Sequence, residues 1–390
     1  MKICSAVCEY NPLHNGHIKH LNYIKEKVKP DYTVVFLSGN FTQRGELAVC
    51  DKYTRATWAI KAGADAVIEL PTVFATSTAE IFGGGAMKLV NSLPYNKSVC
   101  FGTESDNLGG LIELAGLMLN ETDDMKKIIK SELDKGEPLL KARITAAKKY
   151  ATQNVDLSYL DSPNNVLGLE YVKAINKNNY DIEINTLVRS GGDYLDDNIN
   201  NDTPSALAIR TAITSGNLDI VKNKLPSYVL NDLPNVLPSL DNEILYAIRS
   251  SDKEQIKNTL ECAEGLENRI KSLSRDCVSF NELLSSLKTK RYTDARLRRI
   301  LLAATLKIDG NFVKECLNGS LYLKVLAINK QKSDVLSVLA NSNYPIITKK
   351  RDADNLSGIA LKCFEKDVLA NDIYSLATGE KIKEYQMKII

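Results

Sequence analysis

Over the first two hundred residues, short and wholly apolar runs alternate with stretches in which apolar positions recur at helical spacing. Ile3–Val7 reads as a strand, followed by Thr33–Ser38, Ala66–Leu70 and Ser98–Gly102, with a further strand over Ile182–Arg189. Helices are predicted between them, over His17–Glu26, Lys52–Ala62 and Ala79–Asn91, and a long charged helical region over Asp124–Ala151. Lys29-Pro30-Asp31 introduces the second strand and Pro71 stops the third. Runs that are apolar throughout, rather than alternating, suit strands covered on both faces. Strands that alternate with helices build a parallel sheet from βαβ units. The expected class is therefore α/β, with a Rossmann-like parallel sheet.

After about Ser215 the pattern changes. Ala247–Ser274 and Phe280–Leu306 carry helical periodicity, Val335–Leu339 is a short apolar run, and a small strand is predicted near Tyr344–Thr348. Pro226, Pro234 and Pro238 interrupt the chain between the two regimes. The expected organisation is an α/β domain over 1–215 and a mainly helical domain over 216–390, in keeping with roughly 150 residues per domain. No internal repeat or low-complexity tract is found.

Composition narrows the class. With 44% hydrophobic and 25% charged residues, the chain is neither collagen-like nor a coiled coil nor wholly disordered. No run approaches the ~18 apolar residues of a membrane span, and Met1–Tyr10, holding Lys2, Glu9 and two cysteines, does not read as a signal peptide. The eight cysteines form no Cys-x-x-Cys, so a reduced, cytoplasmic protein is expected. The net charge of +2 is unevenly spread. Residues 281–351 hold fourteen Lys and Arg against five Asp and Glu, a local +9 that leaves −7 for the rest. Such a window fits either a solvated helical face or a polyanionic partner.

The chemistry concentrates just after the first strand. All three histidines, His14, His17 and His20, lie in Asn11-Pro12-Leu13-His14-Asn15-Gly16-His17-Ile18-Lys19-His20. A strand, a tight Pro/Gly turn and a helix predicted to open at His17 make a ready anion site. Helix N-termini present N–H groups and partial positive charge, Gly16 admits close approach, and imidazoles donate to phosphate oxygens. A His-x-x-His pair can also hold zinc, but no third ligand is evident.

His14-Asn15-Gly16-His17 resembles the His-x-Gly-His signature of nucleotidyltransferases and class I aminoacyl-tRNA synthetases. The wider text resembles the tRNA(Met) cytidine acetate ligase family over essentially the whole chain. The matching stretches are Cys8-Glu9-Tyr10-Asn11-Pro12-Leu13, Leu37-Ser38-Gly39-Asn40-Phe41-Thr42-Gln43-Arg44-Gly45-Glu46, Asp51-Lys52-Tyr53-Thr54-Arg55, Ile68-Glu69-Leu70-Pro71, Ser77-Thr78-Ala79-Glu80-Ile81-Phe82 and Ser162-Pro163-Asn164-Asn165-Val166-Leu167.

The resemblance implies a Rossmann-like nucleotidyltransferase domain followed by a mostly helical, tRNA-binding one. It implies an enzyme that makes acetyl-adenylate from acetate and ATP, with Mg²⁺ expected. The acetyl group would pass to N4 of the wobble cytidine of elongator tRNA(Met), giving N4-acetylcytidine. His14 and His17 are then catalytic. ATP binding falls to the segment Val7, Cys8, Glu9, Tyr10, Asn11, Pro12, Leu13, His14, Asn15, Gly16, His17, Ile18, Lys19 and His20, with Gly102, Asn164, Asn165 and Arg189. A second nucleotidyltransferase signature, Ser-Ser-Thr-x-x-Arg, is kept only at Ser205 and Arg210, since Ala206 and Leu207 fill the other polar slots. Ser38, Asn40 and Gln43 are the candidate acetate contacts. Lys288, Lys290, Arg291, Arg296, Arg298 and Arg299 are the candidate tRNA contacts. Two other readings stay open: a nucleotidyltransferase acting on a small phosphorylated metabolite, and a non-catalytic RNA-binding protein on a degenerate nucleotide fold.

Overall fold

The structure, a computed structural model, describes residues 1–104, 106–137, 139–152, 163–188, 205–234, 236–289 and 292–390. Its sheet has eight strands: β1 (Lys2–Cys8), β2 (Tyr32–Ser38), β3 (Ala66–Leu70), β4 (Asn96–Thr103), β5 (Ile182–Val188), β6 (Leu323–Ile328), β7 (Ile346–Ile347) and β8 (Lys388–Ile389). The order is β5-β4-β1-β2-β3-β6-β7, with β8 also on β6. β1 to β5 pair parallel, with Val7 opposite Phe36 and Phe36 opposite Ile68, and β6 runs antiparallel to β3.

Helices α1 (Asn15–Tyr23), α2 (Lys52–Lys61), α3 (Thr72–Ala75), α4 (Ala79–Ser92), α5 (Leu108–Leu119), α6 (Asp123–Asp134), α7 (Leu139–Lys148), α8 (Pro163–Asn178) and α9 (Ala206–Thr214) accompany the first five strands. The side chains of Asp51, Thr78 and Ser205 cap α2, α4 and α9 by accepting backbone N–H groups of the first turn. Further on come α10 (Ser227–Leu230), α11 (Asp241–Ser250), α12 (Lys253–Lys257), α13 (Leu266–Leu273), α14 (Phe280–Leu287), α15 (Asp294–Thr305), α16 (Gly310–Asn318), α17 (Val335–Leu339), α18 (Lys350–Ala353) and α19 (Gly358–Thr378).

The strands are apolar throughout because both faces are covered. Val34 and Phe36 enter one core with Phe74, Met87, Val90 and Leu114, while Val35 and Leu37 enter a second with Trp58, Ala59 and Ile209. β6 is divided in the same way: Leu323 and Val325 go to the first core, Leu326 and Ala327 to the second. The first core continues into Ile244, Leu283 and Ile300 of α11, α14 and α15. The chain beyond residue 215 thus supplies three strands to the sheet and a share of both cores.

Some expected elements are corrected. The helix predicted over Asp124–Ala151 is two, α6 and α7, separated at Lys135-Gly136, where Gly136 takes φ +87. The region predicted over Ala247–Ser274 holds the end of α11 and all of α12 and α13, and that over Phe280–Leu306 holds two helices. The first helix opens at Asn15 rather than His17, because His14 serves as its cap.

Candidate functional site

A cleft of about 1090 Å³, part of it open to solvent, lies beyond the carboxyl ends of β1 and β4, where ligands bind in sheets of this type. Its polar wall comes from the turn between β1 and α1. There His14 Nδ1 accepts from the N–H of Gly16 at 3.1 Å, and His17 Nδ1 accepts from the N–H of His14 at 3.2 Å. This reciprocal box fixes both rings, which stack at 3.8 Å between centroids, with the Tyr10 ring edge-on to His17 at 4.8 Å. A neutral imidazole whose Nδ1 accepts carries its proton on Nε2, so both rings are set to donate from Nε2.

Two arginines hold the turn in place. Arg210 of α9 lines the cleft and donates to the Asn11 carbonyl at 2.8 Å. Arg55 of α2 is fully buried and donates to the carbonyls of Glu9 (2.6 Å), Ser38 (3.1 Å) and Cys50 (2.9 Å), and also to that of Gly39. It pins the ends of β1 and β2 together. Asn11 is itself buried, its Oδ1 accepting the Val49 N–H at 2.7 Å.

From the expected ATP set, the cleft wall holds Val7, Cys8, Glu9, Tyr10, Asn11, Gly16, His17, His20, Gly102 and Arg210. Pro12, Leu13, Asn15, Ile18 and Lys19 belong to the turn and to α1 without lining the cleft, and Leu13 is fully buried in the second core. His14 is 2% exposed and lies behind the wall, under His17. Asn165 anchors the chain after β4, its Oδ1 accepting the Glu104 N–H at 3.0 Å. Ser205 caps α9 and presents the next residue, Ala206, to the cleft. Arg189 and the side chain of Asn164 lie outside the described residues.

Of the expected acetate contacts, Gln43 lines the cleft, but Ser38 and Asn40 do not. Ser38 is fully buried. Asn40 spends its amide inside the protein, donating to Asn371 at 2.9 Å and accepting the Lys52 N–H at 2.8 Å. Among the expected tRNA contacts, Arg299 pairs with Glu261 through Nε and Nη2 (2.6 and 2.8 Å), and Arg296 donates to the Glu261 carbonyl and lies over Tyr292. Arg298 approaches Glu46 at 3.8 Å and Lys288 pairs with Asp294 at 3.1 Å, while Lys290 and Arg291 lie outside the described residues.

The opposite wall is apolar and lies outside the expected site residues: Phe82 of α4, Phe101 of β4, Leu167 and Tyr171 of α8, and Leu187 of β5. Phe101 meets Tyr171 edge-on at 5.5 Å, and α8 comes so near that a Cβ on Gly168 would stand 2.6 Å from the Phe101 ring. Residues so far apart in sequence carry no shared spacing to reveal them. The cleft thus offers a flat apolar side for a planar ring and a donor-rich side for an anion, the division a nucleotide requires. Burial pushes the Cys8 thiol up to about 12 and raises the Glu9 carboxyl above its ordinary value. Among the described residues no group of three His, Cys, Asp or Glu is placed to hold a metal ion. None of their helices is long and apolar enough to cross a membrane.

A mostly parallel sheet with a His-x-Gly-His turn after its first strand is the arrangement expected of a nucleotidyltransferase, and residues 1–388 match the family model HIGH Nucleotidyl Transferase. The chain is 38% identical over 388 residues, 97% of its own length and 96% of the relative's, to the tRNA(Met) cytidine acetate ligase of Caldanaerobacter subterraneus subsp. tengcongensis. It is 36% identical over 390 residues, 96% and 95% of the two lengths, to that of Clostridium perfringens. It belongs to the tRNA(Met) cytidine acetate ligase family. Among solved structures, apo Thermotoga maritima TmcAL superposes with a TM-score of 0.91 at 29% identity, covering all of both chains. The same protein bound with alpha-thio ATP gives 0.89, again at 29% identity and full coverage of both chains.

Proposed function

We propose that this protein is an ATP-dependent ligase that converts acetate and ATP to acetyl-adenylate and transfers the acetyl group to N4 of the wobble cytidine of elongator tRNA(Met), giving N4-acetylcytidine. The observation that carries it is the turn at the end of β1, with His17 on the cleft wall, His14 locked beneath it and Arg210 nearby. A carboxylate attacking a phosphate brings anion against anion, so the site must supply positive charge and fixed donors. The first turn of α1, His17 and Arg210 supply both. Acetate oxygen bonds to the α-phosphorus, the bond to the β-phosphate oxygen breaks, and pyrophosphate leaves with the electron pair. The apolar wall takes adenine, and Gln43 is the acetate contact that remains on the cleft. Mg²⁺ belongs with the nucleotide phosphates.

The basic window around α15 contacts the tRNA backbone through Lys288 and Arg298, along with Lys290 and Arg291, so binding weakens steeply with salt. Arg296 and Arg299, already held by Glu261, act there as positioning residues. Eight cysteines without a disulfide accord with a cytoplasmic setting. Incubating the protein with ATP, labelled acetate and tRNA, then resolving nucleosides by mass spectrometry, is expected to place label on cytidine. His17→Ala is expected to lose acetate-driven pyrophosphate release by at least 10²-fold. Undiminished release from a folded His17→Ala protein overturns the assignment.

A further inference from the structure

β1 runs into the cleft, and the residue that follows it is a carboxylate. Glu9 is the only carboxylate among the described residues that line the cleft. It is held from two sides: its Oε1 accepts the Gln43 N–H at 2.7 Å, and its backbone carbonyl accepts from Arg55 at 2.6 Å. A negative charge is unsuited to holding the phosphates of ATP or the carboxylate of acetate, since like charges repel. It is suited to a substrate group that arrives as an N–H donor and leaves one proton behind. Of the three substrates in the proposed reaction, only the exocyclic amine of cytidine does this.

The geometry agrees with that direction of approach. Gln43 belongs to the loop closed by the Phe41–Leu47 bridge, and this loop stands between the cleft and α15. Glu46 in the same loop lies 3.7 Å from Arg210 and 3.8 Å from Arg298. Gly45, at φ +72, touches the backbone of α15, where a Cβ would stand 2.8 Å from Arg298 and Arg299. The wall that carries Glu9 is therefore the wall nearest the basic helix, from which a polynucleotide would enter.

We propose that Glu9 is the general base of the acetyl-transfer step, accepting the proton lost by N4 of the acceptor cytidine. This rests on the function proposed above. The N4 lone pair bonds to the acetyl carbonyl carbon, the bond from that carbon to the AMP phosphate oxygen breaks, and AMP leaves with the pair. One N4 proton passes to the Glu9 carboxylate and from there to solvent, leaving N4-acetylcytidine. The groups facing Glu9 are Arg210 of α9 and Arg55 of α2, which with the Gln43 N–H pull its pKa down. Glu46 pushes it up and burial raises it most, while His17 and His20 share the wall. The net rise makes it a stronger base than an ordinary carboxylate.

The test separates two half-reactions with the full chain and Glu9→Gln. Acetyl-adenylate formation is read from acetate-dependent pyrophosphate release with hydroxylamine trapping, and transfer from labelled acetate on tRNA. Transfer is expected to fall by 10²–10⁴-fold, at least tenfold more than adenylate formation. The wild-type transfer rate is expected to rise with pH along an acid limb above the usual carboxylate range, and Glu9→Gln to lack that limb. Glu9→Asp, which keeps the charge on a shorter arm, should recover part of the transfer rate; if Glu9→Gln fails to fold, Glu9→Asp carries the same comparison of two rates. Equal loss in both half-reactions, or undiminished transfer, overturns the role of Glu9. A wild-type protein that forms no acetyl-adenylate overturns the functional reading itself, a distinct result.

Discussion

His14 and His17 stand three positions apart yet do different work. His17 faces the cleft, whereas His14 is 2% exposed and accepts the Gly16 N–H as the cap of α1. Asn is a strong N-cap and Ala is not, and losing a cap costs about 1 kcal/mol. His14→Ala is therefore expected to lose about that much stability, with His14→Asn recovering at least half of it, as read from urea unfolding midpoints. Equal losses in the two variants would show that the ring's packing, and not its acceptor atom, matters there. At this scale the sequence exposes what is consecutive. Glu9, Tyr10, Gly16, His17 and His20 reach one wall because a single turn carries them. Phe82, Tyr171 and Leu187 come from three distant elements, and an apolar side chain on a cleft has the same sequence signature as one in a core. Arg55 was visible only as part of a motif. Nothing in the type or spacing of a residue shows that its guanidinium will be spent on four backbone carbonyls.

Among the elements, Ala66–Leu70 is legible to the residue because continuous apolar runs ending at Pro71 leave little latitude. β6, Leu323–Ile328, is just as apolar but falls outside the expected strands. It follows a long helical stretch, and its antiparallel place beside β3 comes from no βαβ unit. Lys324 interrupts its apolar pattern, and the fold accounts for that residue by a buried cluster of charges. Lys52 of α2 and Lys324 of β6 both pair with Glu69 of β3 at 2.9 Å and with Glu384, while Asp367 of α19 accepts the Thr72 N–H at 2.7 Å and the Tyr322 hydroxyl. Two ammonium groups face three carboxyls, so one carboxyl is favoured in its protonated form. Burial and the neighbouring Glu69 push Asp367 up to about 6, against the pull of Lys324 and Lys52. An acid whose pKa is higher folded than unfolded, where it is about 3.9, stabilises the fold below pH 4 and loses that contribution as pH rises through 6. Wild type is therefore expected to lose on the order of 2 kcal/mol relative to Asp367→Asn between pH 4 and pH 7. Unfolding free energies of both proteins at the two pH values give this difference, and a pH-independent difference would refute it.

At the scale of the whole molecule, the change of pattern near residue 215 marks a change of secondary structure, and the sheet runs across it. β6 closes the side of β3 not taken by β2, β8 lies on β6, and Asp367, Asn371 and Glu384 all reach back to groups of the first 80 residues. Cut at 215, the amino-terminal part would expose Val67 and Ile68, now fully buried, along with an unpaired strand edge. It would also strand the Lys52–Glu69 pair without Glu384 and Lys324, and a broken buried ionic network costs several kcal/mol. That is comparable to the 5–15 kcal/mol that keeps a typical domain folded. A 1–215 fragment is accordingly expected to lack a cooperative thermal transition and near-ultraviolet circular dichroism, while the full chain melts with its sheet and carboxyl-terminal helices together. A fragment that melts cooperatively and binds ATP as tightly as the full chain would show instead that the nucleotide fold is autonomous and that β6 is an accessory. The same dependence bears on the cleft. Its polar wall is braced by the loop of Glu46 against Arg298 of α15, so the cleft and the basic helix are expected to respond to each other's occupancy.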